Sequence, residues 1–223
     1  MQHEKLTTKH ENKNNLNGKN MALLRFEERN RDNYQKVSDI PQEVINKYKN
    51  LLPKELINIW ETMGFGIYEE GFLQLVNPDE YEFVFEYVDK LLEPSIIWAV
   101  TALGDLLMWE GNENWTISPE EGDRVKIINV RKCNSQILGA SMDGVLNIFL
   151  ADKEYLPDKE YFAAKPYLDI KGKLPPLEYG QCYGYFPALA LGGSASIKNL
   201  KITGVKTYIE IIGQAAGKII DLQ

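Results

Sequence analysis

The sequence has 223 residues, of which 44% are hydrophobic and 26% charged, and it is long enough to bury a core without disulfides or a structural metal. Its two cysteines, Cys133 and Cys182, form no CxxC pair, which is typical of a reducing compartment. A polar beginning and the lack of a long apolar run exclude a secretory signal and a membrane span, so we expect a cytoplasmic protein with no membrane partner.

The net charge of −7 is unevenly distributed along the chain. Residues 61–123 carry 15 Asp and Glu against the single Lys90, whereas the segments before and after them are weakly basic. An acidic block of this strength repels nucleic acid and attracts a basic partner. A solvated acidic surface without a partner explains the same pattern equally well.

The first third of the chain predicts a polar tail followed by two helices. Residues 1–20 hold too few apolar side chains to fold and are predicted to be disordered. Pro41 lies in the first turn of one predicted helix, and Pro53 begins a second, in which Trp60 lies on the apolar face. Gly64 is placed to end that second helix.

The middle of the chain predicts mainly β-structure. A strand at residues 72–76 precedes a helix that Asn77-Pro78 begins, and Trp98 lies in the most apolar strand that follows. Turn residues at short intervals favour an antiparallel meander. The predicted strands of this meander are residues 96–103, 106–109, 115–118 and 125–130.

The last third is predicted to return to helix, at residues 142–150, 159–169 and 205–216. Residues 213–219 superficially resemble a P-loop, but the glycines are one residue too close and Ile219 replaces the magnesium-binding Ser or Thr. We therefore interpret this run as a helix C-cap. The predicted fold class is α+β, with a central antiparallel sheet and helices packed at its N- and C-terminal sides.

Three stretches of the sequence resemble known families. The first stretch resembles the opening of GAD-like domains and the wider Smi1-type toxin-immunity group. It comprises Ile40-Pro41, Leu52-Pro53-Lys54-Glu55-Leu56, Trp60, Gly64-Phe65-Gly66, Gly71 and Leu75-Val76-Asn77-Pro78. The second stretch, Leu103-Gly104-Asp105-Leu106-Leu107-Met108-Trp109, resembles a strand of the same proteins. The third stretch resembles the C-terminal domain of type VI secretion immunity proteins. It runs Tyr183-Gly184-Tyr185-Phe186-Pro187-Ala188-Leu189-Ala190-Leu191-Gly192-Gly193.

The resemblance implies an α+β fold, a cytoplasmic location and tight one-to-one binding of a toxin, often a nuclease. It also implies a division of the chain after the polar tail of residues 1–20. A GAD-like domain is expected at residues 21–123, and an immunity-protein-like domain at residues 124–223, with the two packed as one unit.

Catalytic chemistry has few candidate residues in this chain. The two histidines, His3 and His10, both lie in the polar tail, so the folded part has no histidine to serve as a base or as a zinc ligand. Glu110 and Glu113 flank a Gly-Asn turn and are the one carboxylate pair suited to acid/base work. We therefore expect no enzyme, no catalytic residue, no metal and no cofactor.

The acidic block is the predicted docking surface. Its turns hold carboxylates that would steer a basic partner, and two tryptophans beside the second turn suit an interface. The expected partner-binding residues are Glu69, Glu70, Trp109, Glu110, Glu113 and Trp115. The sequence thus predicts an immunity protein that occludes a cognate, basic toxin. A small carboxylate-dependent hydrolase and a Smi1-type regulatory scaffold stay open as alternatives.

Overall fold

The computed structural model describes residues 25–90, 92–111, 124–158 and 160–220. A sheet of seven antiparallel strands dominates the described part, and each strand pairs with the next one in the chain. These strands are β1 (Gln35–Ser38), β2 (Phe65–Tyr68), β3 (Leu73–Leu75), β4 (Ser95–Thr101), β5 (Leu106–Glu110), β6 (Arg124–Asn129) and β7 (Asn134–Gly139). A separate two-stranded sheet contains β8 (Gln181–Tyr185) and β9 (Leu200–Gly204).

Six α-helical segments of the described residues pack around the two sheets. They are α1 (Phe26–Asn30), α2 (Gln42–Tyr48), α3 (Lys54–Met63), α4 (Met142–Gly144), α5 (Lys165–Ile170) and α6 (Val205–Ala216). Helix α4 is a single turn that continues as the π-helical turn Val145–Phe149. The longest 3-10 helix, Pro78–Glu86, connects β3 to β4.

Helix α3 ends where the sequence predicts, at a glycine. Pro53 stands at its N-cap, and Trp60 lies on its buried face. Gly64 has a φ of +87°, and a Cβ atom there would lie 2.3 Å from the carbonyl oxygen of Ser38. Only glycine therefore allows the chain to leave α3 and pair at once with β1.

Both faces of the central strands of the seven-stranded sheet are buried. On one face, Trp98 and Ile127 pack in a large cluster with the apolar residues of α2 and α3. On the other face, Ile97 and Met108 pack against α6 and the 3-10 helix that precedes β4. The central strands therefore lie inside a three-layer arrangement, in which helical segments cover each side of the sheet.

The predicted α+β class and the antiparallel sheet are confirmed. Trp60 and Trp98 are buried as predicted, with exposed fractions of 1% and 0%. The predicted helix at residues 205–216 matches α6, and Gly217 is its C-cap with a φ of +82°.

Three predicted helices differ from the structure. The segment after Asn77 is a 3-10 helix, because its buried residues Pro78, Tyr81 and Val84 recur every third position. The predicted helix 159–169 is reduced to α5, since Pro166 fits only the first turn of a helix. The predicted helix 142–150 is α only in its first turn and π-helical after it.

Two edge strands, β1 and β7, were not predicted from the sequence. All four side chains of β1 are exposed, so its sequence shows no alternation of apolar and polar residues. The predicted tail of residues 1–20 and the predicted strand at 115–118 lie outside the described residues. The domain division at residues 123 and 124 stays a prediction, and the strands on its two sides, β5 and β6, pair directly.

Candidate partner-binding surface

Of the six residues predicted to bind a partner, the four that the structure describes do not form one surface. Two of them lie in the 3-10 turn Glu69–Gly71 between β2 and β3, and two lie at the end of β5. The first two are Glu69 and Glu70, and the second two are Trp109 and Glu110. The remaining two, Glu113 and Trp115, belong to residues 112–123, outside the described part of the chain.

The register of β4 shows how far apart these two pairs lie. Leu73, just after the Glu69–Gly71 turn, pairs with Thr101 at the last position of β4. Glu110 pairs with Ser95 at the first position of the same strand. The two predicted sites are therefore at opposite ends of the sheet, about 20 Å apart along a strand of this length.

Glu110 is a buried ion-pair residue and not the exposed turn charge that the sequence suggested. Its exposed fraction is 0%. One carboxylate oxygen accepts a hydrogen bond from Arg124 Nε at 2.8 Å, and the other accepts one from Lys126 Nζ at 3.3 Å. A buried carboxylate needs such partners, and both basic residues come from the neighbouring strand β6. The adjacent Trp109 is also buried, so the expectation that the end of β5 presents these two side chains is wrong.

Glu69 is held by residues of α1. Its backbone N–H donates to Asn30 Oδ1 at 2.6 Å, and its carboxylate accepts from Asn30 Nδ2 at 3.0 Å. Arg29 forms an ion pair with the same carboxylate and donates to the Leu146 carbonyl at 2.8 Å. These contacts stabilise a backbone in which Glu69 and Glu70 have φ values of 49° and 55°, a left-handed conformation that is unfavourable for non-glycine residues.

Glu70 points the other way and is 66% exposed, against 10% for the Glu69 side chain. Its carboxylate pairs with Lys171, which follows α5, and its backbone carbonyl accepts a hydrogen bond from Tyr167 Oη at 2.8 Å. The hydrogen bond from Lys171 lowers the pKa of Glu70. The turn therefore joins the sheet to the C-terminal part of the chain, a link that the sequence did not indicate.

Two clefts open on either side of the Glu70–Lys171 pair. The first, of about 380 Å³, lies between the turn and residues 150–168, and we call it the Lys153 cleft. The second, of about 410 Å³, is lined by Tyr34, Tyr167 and Tyr183 and is called the tyrosine cleft. Clefts between two packed segments are common ligand sites.

Most carboxylates of the acidic block that the structure describes are neutralised by lysines and arginines. The basic residues of these ion pairs lie both before the block and after it in the chain. The pairs across the boundaries of the block are Arg29–Glu69, Lys47–Asp79, Arg124–Glu110, Lys126–Glu110, Arg131–Asp105, Lys171–Glu70 and Lys218–Asp89. Among the described residues, the net charge of the block therefore overstates its negative surface.

One face of the block remains acidic within the described residues. Glu80, Glu82 and Glu86 on the 3-10 helix before β4 are exposed and have no ion-pair partner in the part of the chain that the structure describes. We call these three residues the acidic face. Sequence reasoning overlooked them because it favoured turns, whereas this helix presents its carboxylates between buried aromatic and aliphatic residues.

Exposed apolar side chains concentrate in the C-terminal part. Of the nine large apolar side chains that are exposed among the described residues, six lie after residue 140. These six are Ile148, Leu168, Leu191, Ile197, Ile202 and Ile211. A surface that holds several exposed apolar side chains frequently contacts another protein, so these residues are candidates for partner binding.

The described residues contain no group of three His, Cys, Asp or Glu side chains placed to hold a metal ion. Cys133 and Cys182 are free thiols, and burial raises the pKa of both. No helix in the described ranges is long and apolar enough to cross a membrane.

Comparisons with known proteins agree with the resemblance seen in the sequence. A GAD-like domain matches residues 23–120, and the family described as T6SS immunity protein Tdi1, C-terminal, matches residues 147–216. No curated protein shows a significant match.

A solved structure shares the fold. The crystal structure of Atu4351 from Agrobacterium tumefaciens superposes with a TM-score of 0.62 at 19% sequence identity, over 82% of this chain and 86% of that one. The likeness shows a shared fold, while residues 23–120 match the GAD-like domain model and residues 147–216 match the model of T6SS immunity protein Tdi1 C-terminal regions.

Proposed function

We propose that this protein is a cytoplasmic immunity protein, which binds a cognate type VI secretion toxin and neutralises it by occluding its active surface. The observation that carries the proposal is the match of residues 147–216 to the C-terminal family of a T6SS immunity protein. The same residues hold the six exposed apolar side chains of the C-terminal part, which suits a segment that contacts another protein.

The surface chemistry supports binding of a basic toxin, such as a nuclease. A partner that meets the exposed apolar side chains of the C-terminal part would gain most of its affinity from burying them. The acidic face of Glu80, Glu82 and Glu86 lies on the same side of the sheet as α6, because both pack in one apolar cluster. Negative charge at that position steers a basic protein towards the site and speeds its association.

The direct test is protection. Co-expression of the chain with the toxin encoded by its neighbouring reading frame is expected to restore growth of a sensitive bacterium. The purified pair is expected to form a one-to-one complex by light scattering, in which toxin activity is lost. Growth arrest in the presence of a stable, soluble copy of this protein would contradict the proposal.

The electrostatic part has its own test. The triple variant Glu80→Lys, Glu82→Lys and Glu86→Lys is expected to slow association about tenfold at low salt, with a smaller effect as the Debye length falls below about 10 Å. Glu28→Lys, Glu154→Lys and Glu160→Lys change the net charge equally at other exposed positions and serve as the matched control. Equal rates for the two variants in stopped-flow kinetics would show that the acidic face does not guide the toxin.

A further inference from the structure

The Lys153 cleft has an apolar floor. Phe72 of the sheet region forms part of it, together with Leu150 and Ala164 of the C-terminal part, and all three are buried. Leu156 and the exposed Leu168 line the cleft beside this floor. A volume of about 380 Å³ lies within the range of small-molecule sites, and the apolar lining suits a hydrocarbon or aromatic body.

The rim of this cleft carries excess positive charge. Five charged residues line it, three basic and two acidic. Both carboxylates are already neutralised, because Arg29 pairs with Glu69 and Lys171 pairs with Glu70. Lys153 is exposed and makes no hydrogen bond or ion pair with any residue that the structure describes. Its ammonium group is therefore the one rim charge still available to a ligand.

The turn directs both carboxylates into contact with other cations, so Lys153 acts on Glu70 only through longer-range Coulomb attraction. With both residues in the left-handed conformation, Glu69 is directed to α1 and Glu70 to Lys171. A cationic ligand would have to displace Lys171 from Glu70 before it met a negative charge. An anionic ligand meets Lys153 without breaking any contact, and an ammonium at the mouth of an apolar cleft favours negative charge.

We propose that the Lys153 cleft binds a small amphipathic anion, whose apolar body lies on Phe72 and Leu168 and whose carboxylate or similar group pairs with Lys153. This site is separate from the acidic face and shares Leu168 with the exposed apolar side chains of the C-terminal part, and its occupation needs no partner protein. Because the cleft lies between the GAD-like domain and the C-terminal family segment, a bound ligand contacts both of them.

The sign of the ligand charge is the central test. Decanoate and decyltrimethylammonium have the same alkyl chain and opposite charges, and each is titrated below its micelle concentration against the full chain. Binding is followed by calorimetry and by displacement of the fluorescent anion anilinonaphthalene sulfonate. Decanoate is expected to bind at one site at least about tenfold more tightly than the cation. Equal affinities, tighter binding of the cation, or no saturable binding of decanoate would overturn the proposal.

Two pairs of variants place the site in the cleft. Lys153→Glu is expected to weaken decanoate binding about tenfold or more, whereas Lys201→Glu, at an exposed position of β9, changes it less than about twofold. Leu168→Asp is expected to abolish binding, whereas Ile211→Asp on α6 leaves it unchanged. All four positions are exposed, so thermal unfolding curves should show that each variant folds. Binding that is insensitive to both cleft variants would place the ligand elsewhere and reject the proposal.

Discussion

The sheet region, residues 35–139, and the C-terminal region, residues 140–220, use their apolar side chains differently. In the sheet region both faces of β4 and β5 are completely buried. Only three large apolar side chains are exposed among the described residues of this region. The C-terminal region contains short helices, single turns and one hairpin, and exposes twice as many. We infer from the difference that stability resides mainly in the first region, and under the proposed function recognition would reside in the second.

The largest expected effect on stability concerns the buried ion pair between Arg131 and Asp105 in the sheet region. Arg131 donates to Asp105 from Nε at 2.9 Å, and its Nη2 also reaches the Phe162 carbonyl of the C-terminal region at 3.5 Å. Arg131→Met leaves a buried carboxylate unpaired and is expected to lower the free energy of unfolding by about 3–5 kcal/mol. Urea denaturation measures it. The exposed pair between Lys171 and Glu70 provides the control, because Lys171→Met should lower the free energy of unfolding by less than about 1 kcal/mol.

Removal of a core side chain should have an effect of similar size. Trp60→Ala empties a site on the buried face of α3, and we expect a loss of about 3–5 kcal/mol in the free energy of unfolding. Ile211→Ala, at an exposed position of α6, should change it by less than about 0.5 kcal/mol. If the two variants unfolded at similar urea concentrations, stability would not be concentrated in the sheet region and its helices.

The reverse experiment sharpens the comparison by separating binding from stability. Leu191→Asp together with Ile197→Asp places two charges on the exposed apolar surface of the C-terminal region. We expect the free energy of unfolding to change by less than about 1 kcal/mol in total, while the affinity for the toxin falls about tenfold or more. Calorimetry with the purified toxin measures the affinity. Undiminished affinity in a folded variant would move the interface to another surface.

The smallest effect is expected from an exposed charge of the sheet region. Burial raises the pKa of Asp79, but hydrogen bonds from Lys47 and Tyr48 outweigh it and lower the pKa overall. A carboxyl whose pKa is lower in the folded state stabilises the protein above its unfolded pKa of about 3.9, and this contribution disappears as the pH falls through the folded value. Asp79→Asn should therefore cost under about 1 kcal/mol at pH 7 and progressively less as the pH falls through the folded pKa, as measured by urea denaturation at each pH.

The sequence predicted those elements whose side-chain pattern is local. Helix α3, the strands β4 and β5, and α6 follow from apolar periodicity and from glycine or proline at their ends. The pattern of β6 is misleading, because Lys126 appears to mark an exposed face and is in fact buried against Glu110. An ion pair between strands cannot be recognised from the period of a single strand.

The candidate surface was less predictable than the fold. Charge counting located the acidic block correctly in the sequence, but lysines and arginines from distant parts of the chain pair with six of the eleven block carboxylates that the structure describes. Asp105 and Arg131 are 26 residues apart, and Glu70 and Lys171 are 101 residues apart. Such pairs depend on tertiary contacts, so a sum over consecutive residues cannot anticipate them.

The strictly sequential order of the seven strands has a consequence for synthesis on the ribosome. Each strand can pair with its predecessor as it emerges, so the sheet forms from segments that are neighbours in the chain. One of its faces is covered partly by the 3-10 helix before β4 and partly by α6, which is translated last, more than 60 residues after β7. Until then the part of this face that α6 covers is open to solvent in the nascent chain. Chains truncated before residue 205 are therefore expected to aggregate or to recruit chaperones, while the complete chain remains in solution.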